Sequence, residues 1–248
     1  MLPHSLVAVS LVTALFTRMS HAAGEDDWPT VRDDLSLGLR TVGVFSVLAT
    51  VGLVVLSTPV CIAMVGDPVQ GRALGSVVAA MAFGLTGFSA TYLFQRVYYA
   101  YEDARSPFLV QVPTIAVIAV VDVLSLLLLP PRLVVVGVGA GMSLSALVSA
   151  GMSAWWLRRS HGHLDGPRVV RTHVRLLVAG LAAALVGGLV VWAMRDLTSS
   201  GRAGSALTCL VGGTAMAAVY LVALRLLHVR ELRFATDRLG RIGRIIGG

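Results

Sequence analysis

Seven long apolar runs constrain the fold of this chain more than any other feature. They cover residues 2–17, 41–65, 73–97, 108–129, 133–157, 174–194 and 203–227. A helix needs about 20 apolar residues to cross a hydrocarbon core of roughly 30 Å, and the runs lack the alternation of membrane-barrel strands. With 56% apolar and 13% charged residues, the chain has too few polar groups to cover a soluble globule. The sequence therefore predicts an all-α, polytopic membrane helix bundle with about seven transmembrane helices, located in the cell membrane.

The arginines predict the orientation of these helices. All 20 basic residues are Arg, and 16 of them lie after the first, third and fifth runs or from Arg225 onward, against four in the alternate links. Basic residues are enriched in cytoplasmic links, so the amino terminus is predicted to face outside and the carboxy terminus the cytoplasm. This orientation requires an odd number of spans, which agrees with seven.

The runs are grouped into three predicted domains. Residues 1–158 form a bundle of five helices, residues 159–228 add two more, and residues 229–248 form a basic tail. In the tail, apolar residues recur at helical spacing between arginines, which predicts an amphipathic helix on an anionic inner leaflet. The first run is shorter than the others and starts at Met1, so we expect the chain to be a fragment.

Asp122 is the one acid deep inside an apolar run. Burying a charge at that depth costs at least ~2.5–3.5 kcal/mol, so the carboxyl is predicted to face other protein, a water-filled cavity or a cation. It is our candidate for binding a cation or proton. The alternative is a protonated carboxyl that donates a hydrogen bond to a neighbouring helix, and the residues leave both interpretations open.

Small or hydroxylated residues recur every four positions along the fifth run. They are Gly137, Gly141, Ser145, Ser149 and Ser153. Such a stripe is typical of helices that pack closely. The functional alternative is that Ser145 and Ser149 line a polar cleft on the path of a substrate.

Arginines near cytoplasmic helix ends are candidates for binding phosphate, because a guanidinium pairs bidentately with phosphate oxygens. We select Arg18, Arg40 and Arg96 as substrate-path residues. The alternative is that they only anchor the helices and set the topology.

The acidic 25–36 link is interpreted as a surface segment. Trp28, Val31 and Leu35 are predicted to lie at the membrane interface, with Asp26, Asp27, Asp33 and Asp34 in water. A metal-dependent enzyme acting on lipid pyrophosphates would need His or Asn beside these acids, and the link contains neither.

Four stretches occur in the order of a known family's motifs. Leu2-Pro3-His4-Ser5 leads to Ser10, Thr13, Phe16 and Ser20; Gly38-Leu39-Arg40 follows; Arg96 to Pro107 contains Tyr99, Asp103, Arg105 and Pro107; and Pro130 to Ser145 leads into a helix. The first stretch resembles an LP-x-G stretch ending in T-x-x-(F/L)-P-x-(L/F)-S, and Gly38-Leu39-Arg40 resembles a GLR. The stretch from Arg96 to Pro107 resembles an F-Y-A-x-x-D-x-(K/R)-(T/S)-P link, and that from Pro130 to Ser145 resembles a P-x-x-x-x-G-x-A-x-A-T-S turn. These motifs belong to the MviN/MurJ-type lipid II flippases of the multidrug/oligosaccharidyl-lipid/polysaccharide exporter superfamily. Ser5, Thr17 and Met142 depart from the pattern, and the resemblance covers residues 1 to about 160.

The resemblance implies a transporter rather than an enzyme. The seven helices would match the family's eighth to fourteenth, so the chain would be the carboxy-terminal half of a flippase that moves lipid II outward by alternating access for peptidoglycan synthesis in the cell wall. Lipid-linked precursor, membrane lipids and a separate first lobe would be its partners, and nucleic acid would not.

The resemblance implies no cofactor other than a coupling cation, sodium or a proton. Asp122 corresponds to an Asp of the sodium site that some family members have. Ile118 occupies the position of an Asn in that site, so a complete sodium site is not expected. The alternative function is a non-transporting membrane scaffold or partner subunit derived from a flippase half.

Overall fold

The computed structural model describes residues 16–197, 201–227 and 229, and in these residues every regular element is a helix. The helices are α1 (16–24), α2 (Trp28–Val65), α3 (Pro68–Ala82), α4 (Leu85–Ala100), α5 (Arg105–Leu128), α6 (Pro131–His161), α7 (Gly166–Leu197) and α8 (Arg202–Leu226). The predicted all-α helix bundle is confirmed.

Among the described residues, five helices are long and apolar enough to span a membrane: α2, α5, α6, α7 and α8. Helices α3 and α4 are bent by 42° at their junction and make a sixth span if they are counted as one. Each of these six contains all or nearly all of one predicted run from 41–65 onward. The run at 2–17 and the tail at 229–248 lie almost wholly outside the described residues, so the total of seven and the orientation stay predictions.

The outer surfaces of the spanning helices are apolar. Leu127 on α5 is 73% exposed and Leu185 on α7 is 72% exposed. In water such surfaces would cost free energy, whereas hydrocarbon solvates them. The chain is a multi-pass membrane protein.

Glycines follow the last turns of α2 and α6, and an arginine binds the end of α2. Gly66 after α2 and Gly162 after α6 have φ angles of 87° and 95°, a left-handed conformation that is favourable mainly for glycine. Arg202 Nη2 donates hydrogen bonds to the carbonyl oxygens of Met64 and Val65, at 3.4 and 3.0 Å. These bonds satisfy carbonyl groups that the last turn of α2 leaves free.

The helices form two compact units that alternate along the chain. The first contains the described residues up to Val42 together with Ala80–Val170, and the second contains Gly43–Ala79 together with the described residues from Arg171 onward. The predicted domains are consecutive in sequence, with limits at residues 158 and 228, and that division stays a prediction.

The core of the first unit corrects the interpretation of the 25–36 link. Helix α2 begins at Trp28, and Val31 and Leu35 are 0% and 2% exposed in a cluster that includes Met19 and Leu93. Asp34 is 4% exposed, so its predicted position in water is wrong. The cause is α1, whose apolar side packs on the first turns of α2 and covers residues that would otherwise lie at the surface.

The core of the second unit lies around Tyr220. Its hydroxyl donates a hydrogen bond to the Val44 carbonyl oxygen at 2.9 Å, and its ring is fully buried with Leu176 and Met216. Glycine permits close packing here, because a Cβ atom on Gly187 would lie 2.3 Å from Met216 Sδ.

Candidate functional site

Arg18 on α1 forms an ion pair with Asp34 on α2. Its Nη2 atom lies 3.0 Å from Asp34 Oδ1, and the Arg18 side chain is 65% exposed whereas that of Asp34 is 5% exposed. Asp34 Oδ2 is buried and has no hydrogen-bond partner in the described part of the chain. The pair therefore joins a buried carboxylate to an exposed guanidinium, the group best suited to binding phosphate.

Arg96 on α4 lies against two aromatic rings. Its guanidinium carbon is 5.1 Å from the centroid of the Phe16 ring and 4.7 Å from that of the Tyr92 ring. It also donates a hydrogen bond to the Tyr92 hydroxyl. Aromatic faces hold a guanidinium by cation–π attraction while its edge keeps N–H donors. Arg96 is thus a cation fixed beside α1.

Arg40 lies on α2, six residues after Asp34. Its Nε atom donates to the carbonyl oxygen of Ser36 at 3.1 Å, and the Ser36 hydroxyl donates to Asp165 Oδ2 at 2.8 Å. Arg168 Nη1 is 3.8 Å from the same carboxylate oxygen. Of the three predicted substrate-path arginines, Arg18 lies on α1 and Arg96 contacts Phe16 of α1. Arg40 instead bonds to its own helix.

A cavity of about 200 Å³ lies within the first unit. The surface that lines it is almost wholly apolar, and Leu39 and Phe94 contribute to it. Arg32, Ser36 and Asp165 are also among the lining residues. A cavity with this lining suits a hydrocarbon segment next to a polar headgroup.

Asp122 on α5 faces α6. A Cβ atom on Gly141 would lie 3.3 Å from Asp122 Oδ1 and 3.1 Å from a methyl carbon of Val121. Oδ1 is buried and has no hydrogen-bond partner among the described residues. Within those residues no three His, Cys, Asp or Glu side chains come together as metal ligands. Asp122 therefore lies at a helix contact, and its role toward a cation or proton stays a prediction.

The small-residue stripe of α6 lies at contacts with α4 and α5. A Cβ atom on Gly137 would lie 2.3 Å from Ser125 Oγ on α5, and the Tyr98 hydroxyl on α4 donates to the Ser153 carbonyl oxygen at 2.8 Å. These contacts agree with the packing interpretation of the stripe.

Ser145 and Ser149 are buried at 4% and 5% exposure. The Ser145 hydroxyl donates to the Met142 carbonyl oxygen of its own helix at 2.8 Å. Their proposed place on a polar cleft stays a prediction.

Ser143, which is outside the small-residue stripe and was not predicted from the sequence, lies at the break between α3 and α4. Its hydroxyl accepts a hydrogen bond from the Gly84 N–H at 2.9 Å and lies 2.5 and 3.0 Å from the carbonyl oxygens of Ala80 and Met81. In a membrane, backbone groups freed by a break must find such partners. A glycine inside an apolar run, Gly84, is the sequence signal that could have indicated the break. Broken helices often mark functional regions of transporters.

The family-like link forms the corner between α4 and α5. Glu102 has a φ angle of 55°, and the N–H groups of Glu102 and Asp103 donate to the carbonyl oxygens of Tyr99 and Tyr98, at 3.1 and 2.9 Å. This is a Schellman motif with a glutamate in the left-handed position. The Tyr99 side chain is 50% exposed.

Asp103 caps the start of α5. Its Oδ1 atom accepts hydrogen bonds from the N–H groups of Arg105 and Ser106, both at 3.0 Å. Partial burial acts to raise the pKa of Asp103, but the hydrogen bonds from Ser106 and Arg105 outweigh it, so the pKa lies below its usual range. Pro107 follows in the first turn, where a missing N–H breaks no helical bond. The motif residues thus build a helix corner.

The corner between α1 and α2 repeats this construction. Asp26 has a φ angle of 56°, and the N–H groups of Asp26 and Asp27 donate to the carbonyl oxygens of Ala23 and Ala22, at 3.1 and 2.8 Å. Asp27 then accepts hydrogen bonds from the N–H and hydroxyl of Thr30, which lower the pKa of Asp27. An Asp three residues before Thr or Ser is the sequence signal that could have identified both caps.

Three aromatic rings join these corners to the end of α6. The ring of His161 stacks on Trp28 at 4.9 Å between centroids and lies 4.5 Å from Tyr101. Burial, and then the nearby Asp26 and Asp27 carboxylates, raise the pKa of Tyr101. The cluster fixes one end of the first unit.

The family model described as lipid II flippase MurJ matches residues 1–212 of the 248-residue chain. The match includes every site residue named above and extends beyond residue 160, where the sequence resemblance ended.

Proposed function

Because the chain belongs to the lipid II flippase MurJ family, we propose that it supplies the carboxy-terminal lobe of a transporter that moves lipid-linked peptidoglycan precursor from the inner to the outer leaflet. The family match over residues 1–212 carries this proposal. Membership confirms the resemblance seen in the sequence and assigns the chain to the transporters of peptidoglycan biosynthesis. A transporter family also fits the prediction that the chain is not an enzyme.

The chemistry of the first unit supports a substrate with an anionic head and an apolar tail. Arg18 offers an exposed guanidinium, and Arg96 holds a second one against aromatic rings. Guanidinium groups bind pyrophosphate oxygens through charge-assisted hydrogen bonds. The apolar cavity beside Phe94 suits part of a hydrocarbon chain.

In this proposal the lobe works by alternating access together with a first lobe, encoded upstream or on a separate chain. Rocking of two lobes around a central cavity would expose the substrate head first to the cytoplasm and then to the outside. Asp122 would couple the cycle to a cation or proton, since its buried Oδ1 lacks a hydrogen-bond partner within the described residues.

The proposal is tested by complementation in bacteria depleted of their own lipid II flippase. The chain is expressed alone, together with a first lobe of the family, and as Arg18→Ala with that lobe. Arg132→Ala is the matched control. Arg132 is exposed and lies at the start of α6, whereas the predicted cytoplasmic link follows the end of that helix.

We expect growth and lipid II exposure at the cell surface when the unsubstituted chain and a first lobe are both present, reduced growth for Arg18→Ala, and unchanged growth for Arg132→Ala. The first lobe must be one that supports growth with other carboxy-terminal lobes. If the chain then inserts into the membrane but does not rescue growth, the transport function is contradicted and the scaffold is favoured.

A further inference from the structure

The ion pair between Arg18 and Asp34 is unequal in its surroundings. The Asp34 side chain is 5% exposed and that of Arg18 is 65% exposed, with 3.0 Å between Asp34 Oδ1 and Arg18 Nη2. Asp34 lies beside Leu35 and Val31 in the apolar core of the first unit. The carboxylate has therefore lost its water, while its partner remains in contact with solvent.

Stability alone does not explain this arrangement. Asp34 Oδ2 is buried without a hydrogen-bond partner in the described segments, so one oxygen of a desolvated carboxylate is unsatisfied. A single ion pair to a mostly exposed arginine seldom offsets such a desolvation cost. A buried polar group left in this state calls for an explanation, and a functional role is one that fits an exposed partner.

The contact does restrict the guanidinium of Arg18. An exposed arginine loses side-chain entropy when it binds an anion, and a carboxylate that already holds one Nη atom reduces that loss. A guanidinium has five N–H donors, so donors remain for a second anion after the pair to Asp34 has formed.

We infer that Asp34 is a positioning residue, which orients Arg18 to bind the pyrophosphate of the lipid-linked substrate. This inference rests on the proposed function, because it assigns Arg18 to the substrate head. Asp34 itself does not touch the substrate, and its effect is exerted through Arg18 alone.

The test is binding of undecaprenyl pyrophosphate to the full chain in phosphatidylcholine nanodiscs, with undecaprenyl alcohol as the probe that lacks phosphate. The variants are Arg18→Ala, Asp34→Asn, Asp34→Glu and the double variant Arg18→Ala/Asp34→Asn. Asp34→Asn keeps the shape of the side chain, and melting temperatures show whether each variant is folded.

We expect Arg18→Ala to weaken pyrophosphate binding about tenfold, and Asp34→Asn about threefold, the scale of a charge-assisted hydrogen bond and of its partial loss. Asp34→Glu keeps the carboxylate and is expected to bind pyrophosphate as tightly as the unsubstituted chain. All variants are expected to bind the alcohol equally. In the double variant the Asn substitution adds nothing to Arg18→Ala, which a merely structural role would not produce.

Two results separate the possible failures. If the unsubstituted chain binds pyrophosphate selectively and Asp34→Asn binds it equally well, or loses the same factor in the Arg18→Ala background, the positioning role is wrong and the proposed function stands. If the unsubstituted chain does not distinguish pyrophosphate from alcohol, the pyrophosphate site itself is overturned, and the positioning role with it.

Discussion

Ser143 on α6 accepts a hydrogen bond from the backbone N–H of Gly84 at 2.9 Å, at the point where the span formed by α3 and α4 is broken. The hydroxyl also contacts the carbonyl oxygens of Ala80 and Met81. One side chain thus satisfies both donor and acceptor groups that the break would leave without partners in hydrocarbon. The break is thereby tied to α6.

Ser143→Ala is expected to lower the stability of the chain. The substitution leaves the Gly84 N–H and nearby carbonyls unsatisfied, at a cost of about 1–3 kcal/mol. Thermal unfolding in detergent measures the effect. Ser160→Ala is the control, because the Ser160 hydroxyl is exposed and donates to the Trp156 carbonyl oxygen of its own helix. Equal losses for both variants would contradict the role of Ser143.

Gly87→Ala tests the close contact between α4 and α6. A Cβ atom on Gly87 would lie 2.9 Å from backbone atoms of Ala146 and Leu147, and backbone cannot move aside as a flexible side chain can. Overpacking of this kind costs about 1–3 kcal/mol. Gly151→Ala on α6 meets no atom within 4 Å and is expected to leave the melting temperature unchanged or raised. A larger loss for Gly151→Ala than for Gly87→Ala would refute the contact.

Tyr220→Phe tests the core of the second unit. The substitution removes the hydrogen bond to the Val44 carbonyl oxygen and keeps the buried ring, so we expect a loss of about 0.5–1.5 kcal/mol. Tyr99→Phe is the control, since the Tyr99 side chain is half exposed. Unfolding curves of the two variants should differ in midpoint, and coincident curves would mean that the Tyr220 hydroxyl contributes nothing.

The Asp103 cap gives a pH-dependent prediction. Because the pKa of Asp103 is lower in the folded chain than in the unfolded chain, its carboxylate contributes stability that is fully present above its ordinary pKa of about 3.9. That contribution is lost as the pH falls through the lower, folded pKa. The difference in melting temperature between the unsubstituted chain and Asp103→Asn should therefore be constant near neutral pH and shrink below about pH 4. A difference that grows in acid would contradict the cap.

Hydropathy predicted the spanning helices because burial in lipid depends on length and apolar composition, which a sequence states directly. The six runs from 41–65 onward lie in α2, in α3 and α4 together, and in α5 to α8, although α2 begins 13 residues before its run. The Gly137 and Gly141 contacts also followed from periodicity, since small residues every four positions lie on one face of a helix.

Contacts that are distant in sequence could not be predicted in this way. Asp34 was assigned to water because its partner Arg18 lies on another helix, and only the packing of α1 on α2 buries it. Ser143 lies outside the periodic stripe, so its contact with Gly84 depends on where α3 breaks. Local rules did contain the Asp27 and Asp103 caps, since each aspartate lies three residues before the Thr or Ser that bonds to it.

The most direct test of the proposed transport is lipid II movement in vesicles. The chain and a first lobe of the family are reconstituted into liposomes with fluorescent lipid II, and a membrane-impermeant quencher reports how much label reaches the opposite leaflet. We predict that label crosses when both lobes are present and that neither lobe alone supports it. Correct insertion of both lobes with no movement of label above that of protein-free liposomes would contradict the account.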